Sequence, residues 1–169
     1  MTKFFPLLIF LLAFLSCNKK NELVVLTDHS FPPFEYLKDG EPAGVDPDIA
    51  VKIGERTGRK VKIISVGFSS IIPSIERKFG DIGIAAMTVT PERKKHVDFS
   101  IPYAKSEQFI ISLNKFPVIS RDEFDGIRIG IKQGTTGHSL VRQMDLKKTD
   151  LFIYPTTLHV VKALLNDEI

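Results

Sequence analysis

The chain has no tryptophan and a single cysteine among its 169 residues. One cysteine cannot form an intramolecular disulfide, so no disulfide framework is expected. Charge of one sign is also lacking, because 23 Lys and Arg residues are balanced by 20 Asp and Glu residues and the net charge is only +3. This small and scattered excess gives no electrostatic basis for binding nucleic acid. With 43% hydrophobic and 25% charged residues, the composition is that of a globular protein.

A membrane-spanning run is missing as well. The most apolar stretch, FFPLLIFLLAFLSC (residues 4–17), has an apolar core of roughly a dozen residues, whereas a spanning helix needs about 20. The stretch follows Lys3 and changes abruptly to the polar sequence NKKNE. We therefore expect residues 1–17 to be an export signal peptide and residues 18–22 to be a tether. A buried N-terminal helix is the alternative.

Motifs for catalysis and metal binding are also lacking. The histidines, which are His29, His96, His138 and His159, show no HxxxH spacing, and Asp or Glu pairs at ligand intervals are missing. The sequence contains no GxxxxGK[ST] phosphate loop and no GxSxG nucleophile elbow. We therefore expect no metal, no cofactor and no catalytic residue.

What the sequence does contain is an alternation of strand and helix patterns. Strands are predicted at residues 23–27, 61–65, 81–87, 108–113, 127–131 and 151–153, and helices at 46–58, 69–80, 137–144 and 157–167. A short helical turn is predicted at 91–97. Such alternation predicts an α/β fold with a mostly parallel sheet and helices on both faces.

Capping residues set the predicted ends of the first two helices. Asp46 is expected to cap the first helix, and Gly58 is expected to end it. Ser69 or Ser70 is expected to cap the second helix, which Gly80 would end.

Four loops follow predicted strands and carry distinctive residues: TDHSFPPFEY, VGFSS, AMTVTPER and IKQGTTG. Parallel sheets bind ligands at the carboxyl ends of their strands, so these loops would converge on one pocket. In these loops, Arg93 offers a planar fork of donors that suits a carboxylate, and Thr88 offers a hydroxyl donor. Backbone N–H groups around Thr135 and Thr136 would suit an anion. Ordinary turns and a solvated Arg93 are the alternatives.

Three further residues in these loops each have two possible roles. Phe31 and Phe68 could clamp the aliphatic part of a ligand, or they could belong to the hydrophobic core. Asp28 could face the far end of a ligand, or it could stabilise a turn through its own backbone. The residue types alone leave these alternatives open.

Five segments between about Leu23 and Gly137 match the motifs of a known family in type and in order: TDHSFPPFEY, GEPAGVDPDIAVKIGERTG, FSSIIPSI, GDIGIAAMTVTPERKKHVDFSIPY and FDGIRIGIKQGTTG. Together they resemble the extracellular solute-binding proteins of bacterial polar and cationic amino-acid ABC transporters. The resemblance implies the two-lobed type II periplasmic-binding-protein fold, which closes on its ligand by hinge motion. Lobe one would comprise residues 23–104 and a partial lobe two residues 105–169, with the first crossing near residues 103–108.

The same resemblance implies a set of ligand-binding residues: Asp28, Phe31, Phe68, Ala86, Thr88, Arg93, Lys132 and Thr136. Arg93 and Thr88 would bind the ligand carboxylate, and Thr136 or its backbone would help from the second lobe. Ala86 would line the strand end near the ligand ammonium. The two phenylalanines would sandwich the side chain.

Ligand specificity is implied by two positions. Asp28 would face the distal nitrogen of a ligand such as Arg, Lys, His or Gln. Lys132 matches a position that varies with specificity in the family, and it argues mildly against a fully cationic ligand. The implied function is to bind a free amino acid outside the cytoplasmic membrane and deliver it to an ABC transporter permease, as a monomer and without catalysis.

Other functions on a similar scaffold are the alternatives. One is an enzyme, either a dehydratase of the cyclohexadienyl dehydratase type or the front domain of a lytic transglycosylase, with Asp28 or His29 as general acid or base. Another is the input domain of a sensor.

The two ends of the chain carry two more expectations. Cys17 directly follows the apolar core and resembles a lipobox cysteine, with Ser16 fitting that pattern and Phe14 and Leu15 departing from it. We expect lipidation at Cys17 and a location in the periplasm or at the outer face of the cytoplasmic membrane. The family continues beyond VVKALLNDEI with a second crossing and an acidic residue for the ligand ammonium, so a truncated second lobe is expected.

Overall fold

The computed structural model describes residues 21–113, 121–144 and 146–169. The predicted signal peptide, most of the tether and Cys17 lie outside the described residues. The strands are β1 (Glu22–Thr27), β2 (Tyr36–Lys38), β3 (Glu41–Ala43), β4 (Lys60–Ser65), β5 (Ile82–Gly83), β6 (Arg128–Lys132) and β7 (Asp150–Tyr154). The α-helices are α1 (Val45–Thr57), α2 (Ile71–Glu76), α3 (Thr136–Gln143) and α4 (Thr157–Leu165), and 3-10 turns span Phe68–Ser70, Arg93–Lys95 and Arg121–Phe124.

The first sheet is parallel and has the strand order β4-β1-β5. Alternate residues of β1 face opposite sides of the sheet, as a strand requires. Val25 packs with Ala50 of α1 on one side, and Leu26 packs with Ile71 of α2 on the other. The prediction of a parallel sheet with a helix on each face is therefore confirmed.

A second sheet consists of β6 and β7, which are also parallel. Helix α4 packs on this pair, and its Ala163 is buried. Thr156 caps α4 by accepting a hydrogen bond from the backbone N–H of His159. The predicted alternation thus forms two separate parallel sheets within the described residues rather than one continuous sheet.

Two predicted strands differ from the structure. The strand expected at 81–87 is reduced to Ile82–Gly83, because the backbone turns into the left-handed region at Ala86, where φ is 44°. No strand forms at 108–113, although these residues are described. Phe109 and Ile111 are exposed there, so this apolar run has no partner strand among the described residues.

The helix starts also differ from the prediction. Asp46 does not cap α1: Gly44 occupies that position with a φ of 118°, and Asp46 is buried in the first turn. Neither Ser69 nor Ser70 caps α2 with its side chain, because both belong to the 3-10 turn that precedes this helix. Helix α2 ends at Glu76, before Gly80, whereas Gly58 ends α1 in the left-handed conformation as expected.

The hairpin of β2 and β3 was missed by the sequence prediction. Its turn is Asp39-Gly40, and both residues have positive φ angles, of 54° and 86°. An Asp-Gly pair between two extended segments is a known signal for a type I′ hairpin. The sequence therefore contained the information, but the strands are only three residues long.

No helix in the described ranges combines the length and apolar character that crossing a bilayer requires.

Candidate ligand-binding site

The loops that follow the strands do converge, and the backbone brings them together. The N–H of Val66 donates to the carbonyl of Thr27 at 2.8 Å, which joins the ends of β4 and β1. The N–H of Ile84 donates to the carbonyl of Leu26 at 2.9 Å, which joins β5 to the other side of β1. Residues just beyond these strand ends therefore share one rim.

The loop after β6 reaches the same rim from the second sheet. Gly134 has a φ of 74°, and a Cβ atom at this position would lie 2.8 Å from the Cβ of Ser69. Because only glycine avoids this contact, the loop between β6 and α3 lies directly against the loop after β4. The rim therefore has contributions from both sheets.

Arg93 lies where the two sets of loops meet. Its guanidinium donates to the carbonyl of Thr88 at 2.6 Å and to the carbonyl of Gly134 at 2.9 Å. The central carbon of the guanidinium lies 5.4 Å from the centre of the Phe68 ring. Burial lowers the pKa of Arg93, but a guanidinium starts from so high a pKa that it stays charged. It has five N–H donors, of which these bonds use two, so a carboxylate can still be bound.

A buried ion pair lies beside Arg93. The ammonium of Lys132, at the end of β6, donates to Oδ2 of Asp28, which follows β1. The hydroxyl of Ser30 donates to the same oxygen at 2.7 Å, and the Lys132 ammonium donates to the Ser30 hydroxyl at 3.1 Å. The side chains of Lys132 and Asp28 are only 7% and 5% exposed. Lys132 also lies 5.0 Å from the centre of the Phe68 ring.

The start of α3 is built around Thr135. Its hydroxyl accepts the backbone N–H of His138 at 3.2 Å and donates to the carbonyl of Lys132 at 2.9 Å. The N–H of Gly134 donates to Nδ1 of His138 at 3.3 Å. Thr136 is the first residue of α3, and its neighbour Thr135, rather than Thr136, is the cap.

Ala86 is held by a three-membered ring of hydrogen bonds. Its N–H donates both to Oδ2 of Asp46 and to the hydroxyl oxygen of Tyr103, each at 2.9 Å. The Tyr103 hydroxyl in turn donates to Oδ1 of Asp46 at 2.8 Å. This ring stabilises the left-handed conformation of Ala86, which is unfavourable for a residue with a Cβ atom. Sequence reasoning missed Asp46 and Tyr103 as supports of the rim because they are distant in the chain.

Glu35 lies behind this ring and is fully buried. Its carboxyl group accepts the Thr27 hydroxyl at 3.0 Å. Burial, followed by the hydrogen bond with Asp46 and the charge of Asp46, raises the pKa of Glu35 to about 9. Glu35 is therefore protonated at neutral pH and interacts with Asp46 as a neutral acid.

The remaining predicted residues lie on the same loops with other partners. Phe31 is 37% exposed and stacks on Phe34, with ring centres 5.8 Å apart. Phe68 is half-buried and packs partly against the core cluster of Leu26. Burial lowers the pKa of His29, so its ring is neutral at pH 7.

Two other features of the described residues carry no site. Shallow hollows of about 540 and 430 Å³ lie along α1 and contain none of the predicted residues. Within the described ranges, no three His, Cys, Asp or Glu side chains are grouped to hold a metal ion.

Two parallel α/β units whose strand-end loops meet around an arginine form the type II periplasmic-binding fold. The chain belongs to the bacterial extracellular solute-binding proteins, family 3, whose family model matches residues 23–159. The predicted family and fold class are confirmed.

Individual relatives support this assignment. The chain is 30% identical over 116 residues to the arginine-binding extracellular protein ArtP of Bacillus subtilis (strain 168). The matched residues cover 69% of this chain and 46% of that protein. It superimposes with a TM-score of 0.81 on the arginine-, lysine-, histidine-binding protein ArtJ of Geobacillus stearothermophilus, at 31% identity and covering 88% of this chain and 64% of that one. The chain spans about half the length of the curated relatives it matches.

One relative is an enzyme. A cyclohexadienyl dehydratase of Pseudomonas aeruginosa is 24% identical over 149 residues, covering 85% of this chain and 55% of that protein. The relatives that match with higher identity are binding proteins of transporters. The expectation of a binding protein rather than an enzyme agrees with these relatives.

Proposed function

We propose that this chain binds a free amino acid outside the cytoplasmic membrane and delivers it to an ABC transporter permease. The observation that carries the proposal is the position of Arg93. Its guanidinium lies where the strand-end loops of the two parallel sheets meet, against Phe68, and has donors left for a carboxylate. Relatives named as arginine- and histidine-binding proteins support an amino acid as the ligand.

The family resemblance supports roles for the remaining site residues. Thr88 and Thr136 would assist Arg93 at the carboxylate, and Ala86 would face the ammonium. Phe68 and Phe31 would contact the aliphatic part of the ligand, and Asp28 and Lys132 its distal end. The ligand would be Arg, Lys, His or Gln.

Calorimetry with each of the 20 amino acids tests the proposal directly. We expect heat of binding with at least one polar amino acid. Arg93→Ala should weaken that binding by about 30-fold or more, because truncating a partner in a buried charged hydrogen bond costs about 2 kcal/mol or more. Arg56 is an exposed arginine on α1, so Arg56→Ala is the matched control. This variant should bind the amino acid as tightly as the parent protein does.

A folded protein that releases no heat with any amino acid would overturn the proposal. Equal binding by Arg93→Ala and Arg56→Ala would overturn the role of Arg93 alone. Turnover of a cyclohexadienyl substrate would instead favour the activity that the dehydratase relative is named for.

We also propose the cellular context that the sequence suggests. Residues 1–17 would direct export, Cys17 would carry a lipid anchor, and residues 23–104 and 105–169 would form the two lobes of a monomer. Metabolic labelling with a radioactive fatty acid should mark the protein, and Cys17→Ser should abolish the label. Labelling that persists in Cys17→Ser would refute the anchor.

A further inference from the structure

The loop from Ala86 to Arg93 joins the end of the first sheet to the guanidinium of the site. Ala85, just before this loop, is only 3% exposed, and the chain then turns at Ala86, where φ is 44°. Further along the loop, the carbonyl of Thr88 accepts a hydrogen bond from the Arg93 guanidinium at 2.6 Å. The direction in which the chain leaves the sheet at Ala86 therefore decides where the Thr88 carbonyl holds Arg93.

The turn at Ala86 depends on groups outside this loop. A positive φ is unfavourable for a residue with a Cβ atom, so such a turn needs supporting interactions. The Ala86 N–H donates to Oδ2 of Asp46 and to the hydroxyl oxygen of Tyr103, each at 2.9 Å. Asp46 belongs to α1, and Tyr103 lies in the segment that connects the first sheet to β6. Two separate parts of the fold thus hold one turn of the rim.

The Asp46 carboxylate is itself held in place by several groups. It is buried in the first turn of α1, where the helix dipole favours a negative charge. Its other oxygen, Oδ1, accepts the Tyr103 hydroxyl at 2.8 Å, and its backbone N–H donates to the carbonyl of Phe34 at 2.9 Å. Oε1 of Glu35 is buried and accepts no hydrogen bond from the described residues, which suits a protonated oxygen that donates to Asp46. The carboxylate is therefore a fixed acceptor for the Ala86 amide.

We infer that Asp46 and Tyr103 are positioning residues of the ligand site. Through the turn at Ala86, they set where the Thr88 carbonyl holds the Arg93 guanidinium. This inference rests on the proposed function, in which that guanidinium binds the carboxylate of an amino acid.

The Arg93 guanidinium has one anchor on each side of the site. The carbonyl of Gly134, in the loop after β6, accepts its second hydrogen bond at 2.9 Å. The Thr88 carbonyl is the anchor on the side of the first sheet. If the turn at Ala86 relaxes, the guanidinium keeps only the Gly134 anchor. A carboxylate is bound best by two parallel N–H groups of one guanidinium, so a change in its orientation lowers the affinity for the ligand.

Calorimetry with the 20 amino acids tests the inference in Tyr103→Phe, which removes only the hydroxyl and keeps the ring. We expect an amino acid that binds the parent protein to bind this variant about tenfold more weakly, which is the effect of about one hydrogen bond to a charged group. Asp46→Asn removes the charge and one acceptor and should weaken binding at least as much. Thermal unfolding checks that each variant is folded.

Two matched controls accompany these variants. Asp48 is an exposed residue in the same first turn of α1, and Tyr36 is a tyrosine of β2. Asp48→Asn and Tyr36→Phe should bind the amino acid as tightly as the parent protein does.

A rescue experiment separates positioning from general stabilisation. Glycine adopts a positive φ without strain, so Ala86→Gly makes the turn less dependent on its supports. In the Ala86→Gly background, Tyr103→Phe should weaken binding by less than about threefold, instead of about tenfold. If Tyr103 only stabilised the fold, the loss of affinity would be equal in both backgrounds.

NMR of the Arg93 side-chain N–H groups provides a readout that needs no ligand. Tyr103 does not hydrogen-bond to Arg93, but it acts on the same loop through Ala86. Tyr103→Phe should therefore shift the Arg93 side-chain signals in the folded, ligand-free protein. Tyr36→Phe should leave them in place.

The outcomes separate the inference from the proposed function. Equal affinity in the parent and in Tyr103→Phe, an equal loss with and without Ala86→Gly, or unmoved Arg93 signals would each overturn the positioning role alone. A folded parent protein that binds none of the 20 amino acids would overturn the proposed function. The Arg93 signals would then still decide whether Tyr103 sets the position of the guanidinium.

Discussion

Glu35 illustrates how a single buried residue can link stability to pH. Its carboxyl group is fully buried beside Asp46 and accepts a hydrogen bond from Thr27. The group is protonated in the folded protein at neutral pH, whereas it is ionised in the unfolded chain. Sequence reasoning does not find such a group, because the FPPFEY segment gives no indication that Glu35 faces inward.

We predict that the stability of the protein falls as pH rises, in part because of Glu35. The folded pKa of about 9 exceeds the ordinary value of 4.5, so the folded state binds the extra proton between these values. The contribution of Glu35 is therefore fully present below about pH 4.5 and is lost as pH rises through about 9, by up to about 1.4 kcal/mol per pH unit.

Urea unfolding of the parent protein and of Glu35→Gln at pH 5 and pH 8 measures this contribution. Glu35→Gln should reduce the difference in unfolding free energy between the two pH values. Glu41 has an exposed carboxyl group on β3, so Glu41→Gln is the control. This variant should show the same difference in unfolding free energy between the two pH values as the parent protein. The prediction would be contradicted if the unfolding free energy changed between pH 5 and pH 8 by the same amount in Glu35→Gln as in the parent protein.

At the scale of elements, α1 depends on a glycine at each end. Gly44 and Gly58 flank the helix with φ angles of 118° and 65°, and both angles are unfavourable for a residue with a Cβ atom. The two positions differ in their surroundings. A Cβ at Gly44 would lie 2.4 Å from the carbonyl oxygen of Phe34, whereas a Cβ at Gly58 would meet open space.

We therefore predict that Gly44→Ala destabilises the protein more than Gly58→Ala. Gly58→Ala should lower the free energy of unfolding by only about 1 to 2 kcal/mol, which is the strain of a left-handed residue with a Cβ atom. Gly44→Ala adds a clash with backbone that connects to the site-bearing loop after β1. Denaturant midpoints of the two variants give the comparison, and equal losses of stability would show that the clash is relieved without cost.

At the scale of the whole molecule, the two sheets differ in how well they are covered. Strand β1 lies in the centre of the first sheet, with Val25 and Leu26 each only 1% exposed. The second sheet has two strands among the described residues, and Phe152 and Ile153 of β7 are 39% and 51% exposed. Two-stranded sheets are marginal on their own, so their local stability depends on the helices beside them.

We predict that amide hydrogen exchange is slower in β1 than in β6 and β7. Exchange from the core of a sheet requires larger openings than exchange from a partly exposed pair of strands. Mass spectrometry or NMR of the exchanging amides would show the difference. Protection of β7 equal to that of β1 would mean that the protein opens as one cooperative unit.

The sequence by itself determined the alternation of strands and helices, the parallel pairing and the family, because these depend on hydrophobic periodicity and on local motifs such as TPERKKHVDFSIPY. It also indicated which loops form the rim, since loops after parallel strands share one edge of a sheet. The sequence did not predict the left-handed turn at Ala86 or the shortened β5, because that turn is maintained by hydrogen bonds from the Ala86 N–H to Asp46 and Tyr103, which are distant in the chain.

Only the tertiary structure decided how the charges of the site are paired. Asp28 and Lys132 are more than 100 residues apart, and their contact exists because two separately formed sheets bring their strand ends together. Because both groups are buried, the pairing offsets the free-energy cost of removing their charges from water. No local pattern in the chain encodes which partner that is.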